Sequence, residues 1–265
     1  MTMKPMAASD ATLGPWKGVS LVLAATALLA GCAVQPGAPL PSDGVAARSA
    51  QVVRATPVYP RTPQGAAMTF AAVIRSMEPV IESQCVQRRR SPINCDFQFV
   101  VDDRPGLEPN AFQTLDPNGR PIIGFTLALI AMAQNADELA FAVGHEASHH
   151  ILNHIDQRTG AATAGAAILS GIVAASGADP ASIRAAQQMG ASVGARYYSR
   201  EWELQADYLG AIVTLNAGYD PVRGAEFFAR IPDPGDRILG THPSRAQRQA
   251  RVAQAVQDVS SGRAR

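Results

Sequence analysis

One pentapeptide, His145-Glu146-Ala147-Ser148-His149, constrains the fold and chemistry of this chain more than any other feature. Side chains four residues apart lie on one face of an α-helix, so the imidazoles of His145 and His149 can bind the same metal ion. Glu146 projects from the neighbouring stripe of the helix, where its carboxylate can reach a water molecule on that ion. The spacing therefore predicts a helix that holds one Zn²⁺ ion per chain, with Glu146 as the catalytic base.

The flanking residues favour a helix over 136–153 with this motif in its middle. Asn135 precedes the helix as an N-cap, and Glu138 at the third helical position completes a capping box. An apolar stripe at helical spacing follows, formed by Leu139, Ala142, Val143, Ala147 and Ile151. The alternative is an amphipathic helix with surface histidines. We favour the metal site because buried neutral imidazoles without a partner are costly.

A catalytic zinc site needs a third protein ligand and an open coordination position. The metzincin pattern requires a glycine and a histidine at positions that hold Leu152 and Ile155 here, which excludes that class. The gluzincin pattern takes a glutamate from a later helix, often with an aspartate four residues on. Glu203 and Asp207 supply this pair in a helix that is predicted to extend to residue 216.

We therefore predict Glu203 as the third ligand and Asp207 as the acceptor for the second N–H of a ligand histidine, His145. Glu201 is the rival third ligand. It lies two residues before Glu203, about 200° around the helix, so only one of the two glutamates can face the metal. The four-residue spacing to Asp207 favours Glu203.

Together these motifs resemble the HtpX/Oma-type zinc metallopeptidases, and within them the bacterial envelope proteases of the BepA and LoiP type. The resemblance covers about residues 65–257 and rests on two metal-site motifs in the same order. Further matches are Asn110-Ala111-Phe112 with Gly119, the apolar run 122–130, and Thr241-His242-Pro243 with Arg248. One departure is the absence, around Leu127, of the glycine that is usual ahead of the active helix.

The resemblance implies an α+β, mostly helical gluzincin domain over 65–258, with a small β-sheet beside the HExxH helix. It also implies hydrolysis of misfolded or unassembled envelope proteins. We predict that these substrates bind as extended chains along an edge strand at Asn110, Ala111 and Phe112, because strand addition binds unfolded backbone with little sequence selectivity. The alternative is a chaperone-like lipoprotein that holds such clients with little turnover. A purely structural zinc protein is disfavoured, because structural sites prefer four Cys or His ligands.

The N-terminal sequence predicts an exported lipoprotein. Lys4 and Lys17 precede an uncharged run over 18–31, which has the length of a signal-peptide core, so residues 1–31 are read as a signal peptide. The run ends in a lipobox-like Leu-Ala-Gly-Cys, in which Cys32 would be lipidated; an ordinary secreted signal peptide is the alternative. Ala33 favours anchoring at the periplasmic side of the outer membrane. Residues 32–64 read as a flexible tether and 259–265 as a disordered tail.

The cysteine count agrees with an exported compartment. Two cysteines remain after Cys32, namely Cys85 and Cys95, and they flank a short basic loop. We predict a disulfide between them, with two free thiols as the alternative.

The rest of the chain gives a coarse outline. The net charge of +1 offers no electrostatic argument for nucleic acid as a partner. The pattern predicts a helix over 66–82, strands over 96–101 and 121–127, and an edge segment over 111–114. Residues 161–195 are rich in Ala and Gly and predict a pair of close-packed helices. A mobile lid and a membrane-facing hairpin are the alternatives for that segment.

Three histidines lie outside the predicted ligand set. His150 points about 100° away from the ligand face, as a surface group or a neighbour of a ligand. His154 is expected near the C-terminus of the same helix, where the macrodipole favours a partly protonated imidazole. His242 precedes a helix that Pro243 could begin. It is a surface cap, a protonated donor to the oxyanion, or, as the resemblance suggests, a neutral fourth zinc ligand that keeps the enzyme latent.

Overall fold

The computed structural model describes residues 62–197, 199–230 and 243–265, apart from the side chains of 196 and 197. Within these ranges the chain is mostly helical with one three-stranded sheet, so the predicted α+β class is confirmed. The helices are α1 (Pro63–Arg88), α2 (Leu127–Met132), α3 (Ala136–Ile151), α4 (His154–Ala175), α5 (Pro180–Tyr197), α6 (Ser199–Asn216), α7 (Pro221–Gly224) and α8 (Arg245–Ser260), with a 3-10 helix over Ala225–Ala229. The strands are β1 (Gln98–Asp102), β2 (Ala111–Leu115) and β3 (Pro121–Thr126).

The sheet packs beside α3, with β3 as its central strand. β3 pairs parallel with β1 and antiparallel with β2, so that Gln113 lies opposite Ile123. Alternate side chains of β3, Ile123 and Phe125, are fully buried, as expected for a strand covered by helices. Among the described residues, β2 has a partner on one side only and forms an edge of the sheet.

Helix α1 supplies one wall of the main core. Val73, Met77 and Ile81 recur every four residues on its inner face and are fully buried. The ring of Phe70 packs edge-on against Phe125 of β3, with 5.1 Å between the ring centroids. Burial of such side chains stabilises the domain by about 2–3 kcal/mol each.

A disulfide joins the end of α1 to the segment before β1. It links Cys85 to Cys95, whose Cα atoms lie 5.7 Å apart, and Cys85 is fully buried. The bond closes the basic loop that the sequence places between these two cysteines.

Two glycines allow α3 and α6 to approach closely. A Cβ atom added at Gly144 would lie 2.8 Å from the backbone oxygen of Gly210, and one added at Gly210 would lie 2.9 Å from the backbone nitrogen of His145. Any larger residue at either position would push the helices apart. The glycine pair therefore sets the distance between the two helices that carry the predicted metal ligands.

Helices α4 and α5 form the predicted close-packed pair. A Cβ at Gly165 would lie 2.2 Å from the backbone oxygen of Gly190, so these helices also meet through small residues. Four large apolar side chains of the pair are exposed: Ile168, Ile172, Met189 and Val193. By length and composition alone α4, which has 22 residues, could cross a membrane, because it contains an 18-residue window with a mean hydropathy of 1.2, and none of that window is buried.

The boundary between α3 and α4 corrects the predicted helix over 136–153. Helix α3 ends at Ile151, and Asn153 adopts a left-handed conformation with φ of 59°. Asparagine is, after glycine, the residue that most often tolerates this conformation at the end of a helix. His154 consequently begins α4, and the prediction that it lies near the C-terminus of the active helix is wrong.

Other boundaries shift by a few residues. Leu127 begins α2 after an N-cap by Thr126, whose side chain accepts a hydrogen bond from the backbone N–H of Leu129, so this turn needs no glycine. The predicted disordered tail over 259–265 overlaps the end of α8, because this helix continues to Ser260. Beyond the helix, the Arg263 guanidinium pairs with Asp258 at 2.7 Å.

Candidate metal centre

The predicted metal ligands converge at the contact between α3 and α6. The Nε2 atoms of His145 and His149 lie 3.1 Å apart. The Glu203 carboxylate lies 3.5 Å from each of them, through Oε2 to His145 and through Oε1 to His149. One donor atom from each residue lies within 4.8 Å of the other two. A helical spacing of four residues and the close approach of α6 are sufficient to build this triangle.

These distances fit the size and donor preference of a zinc ion. Ligands at about 2.0–2.1 Å from a tetrahedral Zn²⁺ lie about 3.4 Å from one another. The three observed separations of 3.1, 3.5 and 3.5 Å bracket that value. Two imidazoles and one carboxylate are also the ligand set of many catalytic zinc sites, in which the fourth position is left open.

His145 is oriented by a buried ion pair. Its Nδ1 atom lies 2.9 Å from Oδ1 of Asp207, which is fully buried. The Arg248 guanidinium from α8 binds both oxygens of the same carboxylate, at 2.6 and 2.8 Å. Burial by itself raises the pKa of Asp207, but the charge and hydrogen bonds of Arg248 outweigh it and hold the pKa below its usual range. Asp207 is therefore an ionised acceptor for His145.

The same neighbours control the proton on His145. Burial lowers the pKa of His145, but hydrogen bonds to Asp207 and Glu203 outweigh it and raise the pKa to about 10. A cation at this position would compete with the proton on Nε2, because both use the same lone pair.

His149 is kept neutral. Burial lowers its pKa to about 3, and the positive charge of His145 acts in the same direction. Its Nδ1 atom lies 2.9 Å from Nδ1 of His154, whose own pKa burial lowers to about 4. The predicted partial protonation of His154 is therefore wrong, because the ring is buried at the start of α4.

Glu146 lies in the same cleft, which has a volume of about 760 Å³. Burial, the largest cause, raises the pKa of its carboxyl to about 7. A carboxyl group with a pKa near the working pH can both accept and return a proton, which suits a general base.

The edge strand opens onto this cleft. Asn110, Ala111 and Phe112 line it together with His145 and Glu146. The lining of the cleft also includes Phe141 and Phe228, whose rings pack edge-on. The arrangement therefore places a strand edge next to a candidate metal centre and a candidate base.

A comparison with protein families identifies the domain. Residues 69–256 match the family described as Peptidase family M48. The chain belongs to peptidase family M48. A shorter stretch of 62 residues is 37% identical to the mitochondrial metalloendopeptidase OMA1 of Arabidopsis thaliana, and it covers 22% of this chain and 13% of that protein. Membership of M48 and this similarity both support a metalloendopeptidase.

Within the M48 domain, Glu203 rather than Glu201 joins the two histidines. Glu201 is exposed, and its Oε1 atom lies 3.3 Å from Nε2 of Gln205 and 3.9 Å from the Arg251 guanidinium. It therefore faces away from His145 and His149, because positions 201 and 203 lie about 200° apart around the helix.

His150 lies on the other side of α3, inside the core. Its Nε2 atom is 2.6 Å from the backbone oxygen of Asn94, and its ring packs edge-on against Phe97. It is buried, not at the surface, and burial lowers the pKa of its imidazole.

Three contacts of the centre were not foreseen from the sequence. They are the pairing of Arg248 with Asp207, the contact of His154 with His149, and the contact of Gln205 with His154. Each joins residues on different helices, and a pattern of spacing within one helix does not reveal such a contact. Asn153 was the one local signal, since it marks where α3 ends.

Two predicted functional residues lie outside the described residues. His242 precedes Pro243, which lines the cleft. Cys32, the signal peptide and the predicted tether up to residue 61 lie outside the described residues, whereas α1 begins at Pro63, inside the last part of the predicted tether over 32–64.

Proposed function

We propose that this protein is a zinc-dependent endopeptidase of the bacterial cell envelope. The observation that carries this proposal is the convergence of His145, His149 and Glu203 on one point, with Glu146 beside them in an open cleft. Membership of family M48 supports the same reaction class.

The chemistry would be divided between a bound zinc ion and one carboxylate. A zinc ion held by His145, His149 and Glu203 would lower the pKa of water and polarise the scissile carbonyl group. Glu146 accepts the proton of the attacking water and then delivers it to the nitrogen of the leaving amine. Its raised pKa of about 7 suits both steps.

The substrate would bind as an extended chain along β2. Asn110, Ala111 and Phe112 line the cleft, and β2 has an unpaired edge within the described sheet. Addition of a strand uses main-chain hydrogen bonds, which require an unfolded segment but little specific sequence. We therefore infer that the substrates are misfolded or unassembled envelope proteins, the class that the resemblance implies.

The test of the reaction is a Glu146→Gln variant assayed on an unfolded outer-membrane protein. We expect zinc content to stay near one per chain, because Glu146 is not a ligand, and cleavage to fall by about 10²–10⁴-fold. Undiminished cleavage would exclude this mechanism. Client proteins that are protected from aggregation equally well by the variant and the wild type would instead favour the chaperone-like alternative.

We also propose that Cys32 carries the lipid anchor at the periplasmic side of the outer membrane. A Cys32→Ser variant should leave the membrane fraction, because acyl chains supply the stable attachment. The Cys85–Cys95 disulfide is independent of this change and should still give a mobility shift on reduction. Retention of the variant in washed outer membranes would contradict the anchor.

His242 is proposed to latch the metal centre. The next residue, Pro243, lines the cleft together with His145, His149 and Glu203. A latch predicts that His242→Ala increases activity and self-cleavage, whereas an oxyanion donor predicts a sharp loss of activity. An unchanged rate would leave His242 as a surface cap.

A further inference from the structure

A line of four polar side chains runs from the metal centre to the protein surface. It starts at Nδ1 of His149, which lies 2.9 Å from Nδ1 of His154. Nε2 of His154 lies 3.3 Å from Oε1 of Gln205. Nε2 of Gln205 in turn lies 3.3 Å from Oε1 of Glu201, which is exposed.

The chemistry of Glu201 gives this line a single direction. An ionised carboxylate only accepts hydrogen bonds, so Gln205 must turn its NH₂ group towards Glu201 and its carbonyl oxygen towards His154. His154 must then carry its proton on Nε2, which leaves Nδ1 as an acceptor. His149 can fill that acceptor only by carrying its own proton on Nδ1.

This order of donors and acceptors leaves Nε2 of His149 without a proton. That atom is the one that lies 3.1 Å from Nε2 of His145 and 3.5 Å from Glu203, at the candidate metal position. The opposite tautomer of His149 would point an N–H bond at the metal position and block coordination.

We propose that His154 is a positioning residue for the metal centre: held by Gln205 and Glu201, it fixes the tautomer and the ring orientation of His149. The inference rests on the proposed function, since it assumes that a metal binds at Nε2 of His149. His154 also lines the cleft, and in this role it acts on the metal centre through His149.

The surroundings of His154 fit a residue that is fixed in place. The left-handed turn at Asn153 directs the chain so that His154 opens α4 directly beside His149. The side chain is 4% exposed, and its ring stacks on the Trp202 indole with 6.0 Å between centroids and 27° between planes. Trp202 and Gln205 both belong to α6, the helix that also supplies Glu203.

The test compares two replacements of His154 in the full-length protein. His154→Asn keeps an acceptor oxygen close to the position of Nδ1, whereas His154→Phe keeps the ring and its stacking but has no acceptor. Zinc affinity is measured by competition with a chelator. We expect the Phe variant to bind zinc about 10–100-fold more weakly, the range for partners of ligand histidines, and the Asn variant to recover most of the loss.

A control and a second measurement separate positioning from simple packing. His150→Phe removes a different buried histidine, which belongs to α3 and whose side chain contacts Asn94 and Phe97, so its folded form should bind zinc like the wild type. In zinc-loaded wild-type protein, ¹⁵N NMR should show a protonated, slowly exchanging Nδ1 on His149. This signal should exchange faster in the Phe variant, even if that variant is less stable.

The outcomes distinguish this inference from the proposed function. Wild-type zinc affinity in His154→Phe, equal losses in the Phe and Asn variants, or zinc bound to Nδ1 of His149 would each overturn the positioning role. A Glu203→Ala variant serves as the reference for the site itself. If Glu203→Ala still binds zinc like the wild type, the proposed metal centre fails, whatever His154 does.

Discussion

His145 and His149 stand one helical turn apart on α3, but the surroundings of their Nδ1 atoms differ in charge. His145 donates to Asp207, a fully buried carboxylate that also binds the Arg248 guanidinium. His149 instead meets the neutral ring of His154, at the inner end of a line that reaches the surface at Glu201. One histidine is thus held by buried charge and the other by ordered hydrogen-bond direction.

The difference has consequences for both folding and chemistry. A buried carboxylate and guanidinium are costly to separate, so the support of His145 also ties α8 to α6. The ring of Phe228, 3.6 Å below the Arg248 guanidinium, extends this connection to the 3-10 helix. The contact of His149 with His154 instead joins two neutral imidazole rings, so it contributes mainly to the orientation of His149.

The largest effect is therefore expected for Asp207→Ala. This change removes the carboxylate that binds the buried Arg248 guanidinium through both oxygens and leaves Glu203 at 3.8 Å, and breaking a buried pair in this way costs about 3–5 kcal/mol. The free energy of unfolding, measured in urea, should fall by that amount, whereas His154→Phe should cost clearly less. Equal losses in the two variants would remove the distinction between the two supports.

A double variant provides the matched control. Asp207→Ala combined with Arg248→Met removes both charges, and well-packed apolar replacements of a buried pair are often neutral or stabilising. We expect the double variant to recover a large part of the stability that Asp207→Ala loses. If it recovers none, the loss reflects packing at position 207 and not the loss of the ion pair between Asp207 and Arg248.

The contrast also shows what the sequence could and could not predict. His145, Glu146 and His149, together with the Glu203 and Asp207 pair, were predictable because helical spacing places each set on one face. The close approach of the two sets depends on Gly144 and Gly210, which carry no chemical signature of their own. The partner of Asp207, Arg248, lies 41 residues further along the chain, and spacing gives no information at that range.

The contact between His149 and His154 was not predictable for a related reason. A helix predicted through residue 153 carries His154 about 140° around the axis from His149, given five residues at 3.6 per turn. In the structure α3 ends at Ile151 and the chain turns at Asn153, so the ring centroids of His149 and His154 lie 5.0 Å apart. The single left-handed residue Asn153 therefore places His154 next to the candidate metal ligand His149.

A smaller effect is expected for Asp207→Asn. The amide has one acceptor oxygen, so it can serve His145 or Arg248 but not both as well as the carboxylate does. Zinc affinity, measured by chelator competition, should fall by about 10–100-fold, while Glu146 and the cleft stay in place. Unchanged affinity would show that the charge of Asp207 matters for folding alone.

Gln205→Leu tests the middle of the line of polar side chains that runs from His149 to Glu201. Leucine is similar in size, but it removes the acceptor that His154 Nε2 faces and the donor that faces Glu201. His154 can then exchange between tautomers, so the order imposed on His149 is weakened but the contact between the rings remains. We expect zinc affinity to fall by less than in His154→Phe and less than the range of about 10–100-fold for direct partners. A loss larger than that of His154→Phe would place the essential contact at Gln205 instead.

The smallest effect is expected for Glu201→Ala, at the exposed end of the same line. The change removes the carboxylate that orients the Gln205 amide, but Gln205 can keep its carbonyl oxygen on His154 with its NH₂ group in water. The Arg251 contact at 3.9 Å is exposed and contributes about 0–1 kcal/mol, so stability should hardly change. Metal analysis should therefore find zinc near one per chain in Glu201→Ala and a large loss in Glu203→Ala. The reverse result would make Glu201 the third ligand, and it would require α6 to rotate by about half a turn against α3. The contact between Gly144 and Gly210 opposes such a rotation, because only glycines fit where the two backbones meet.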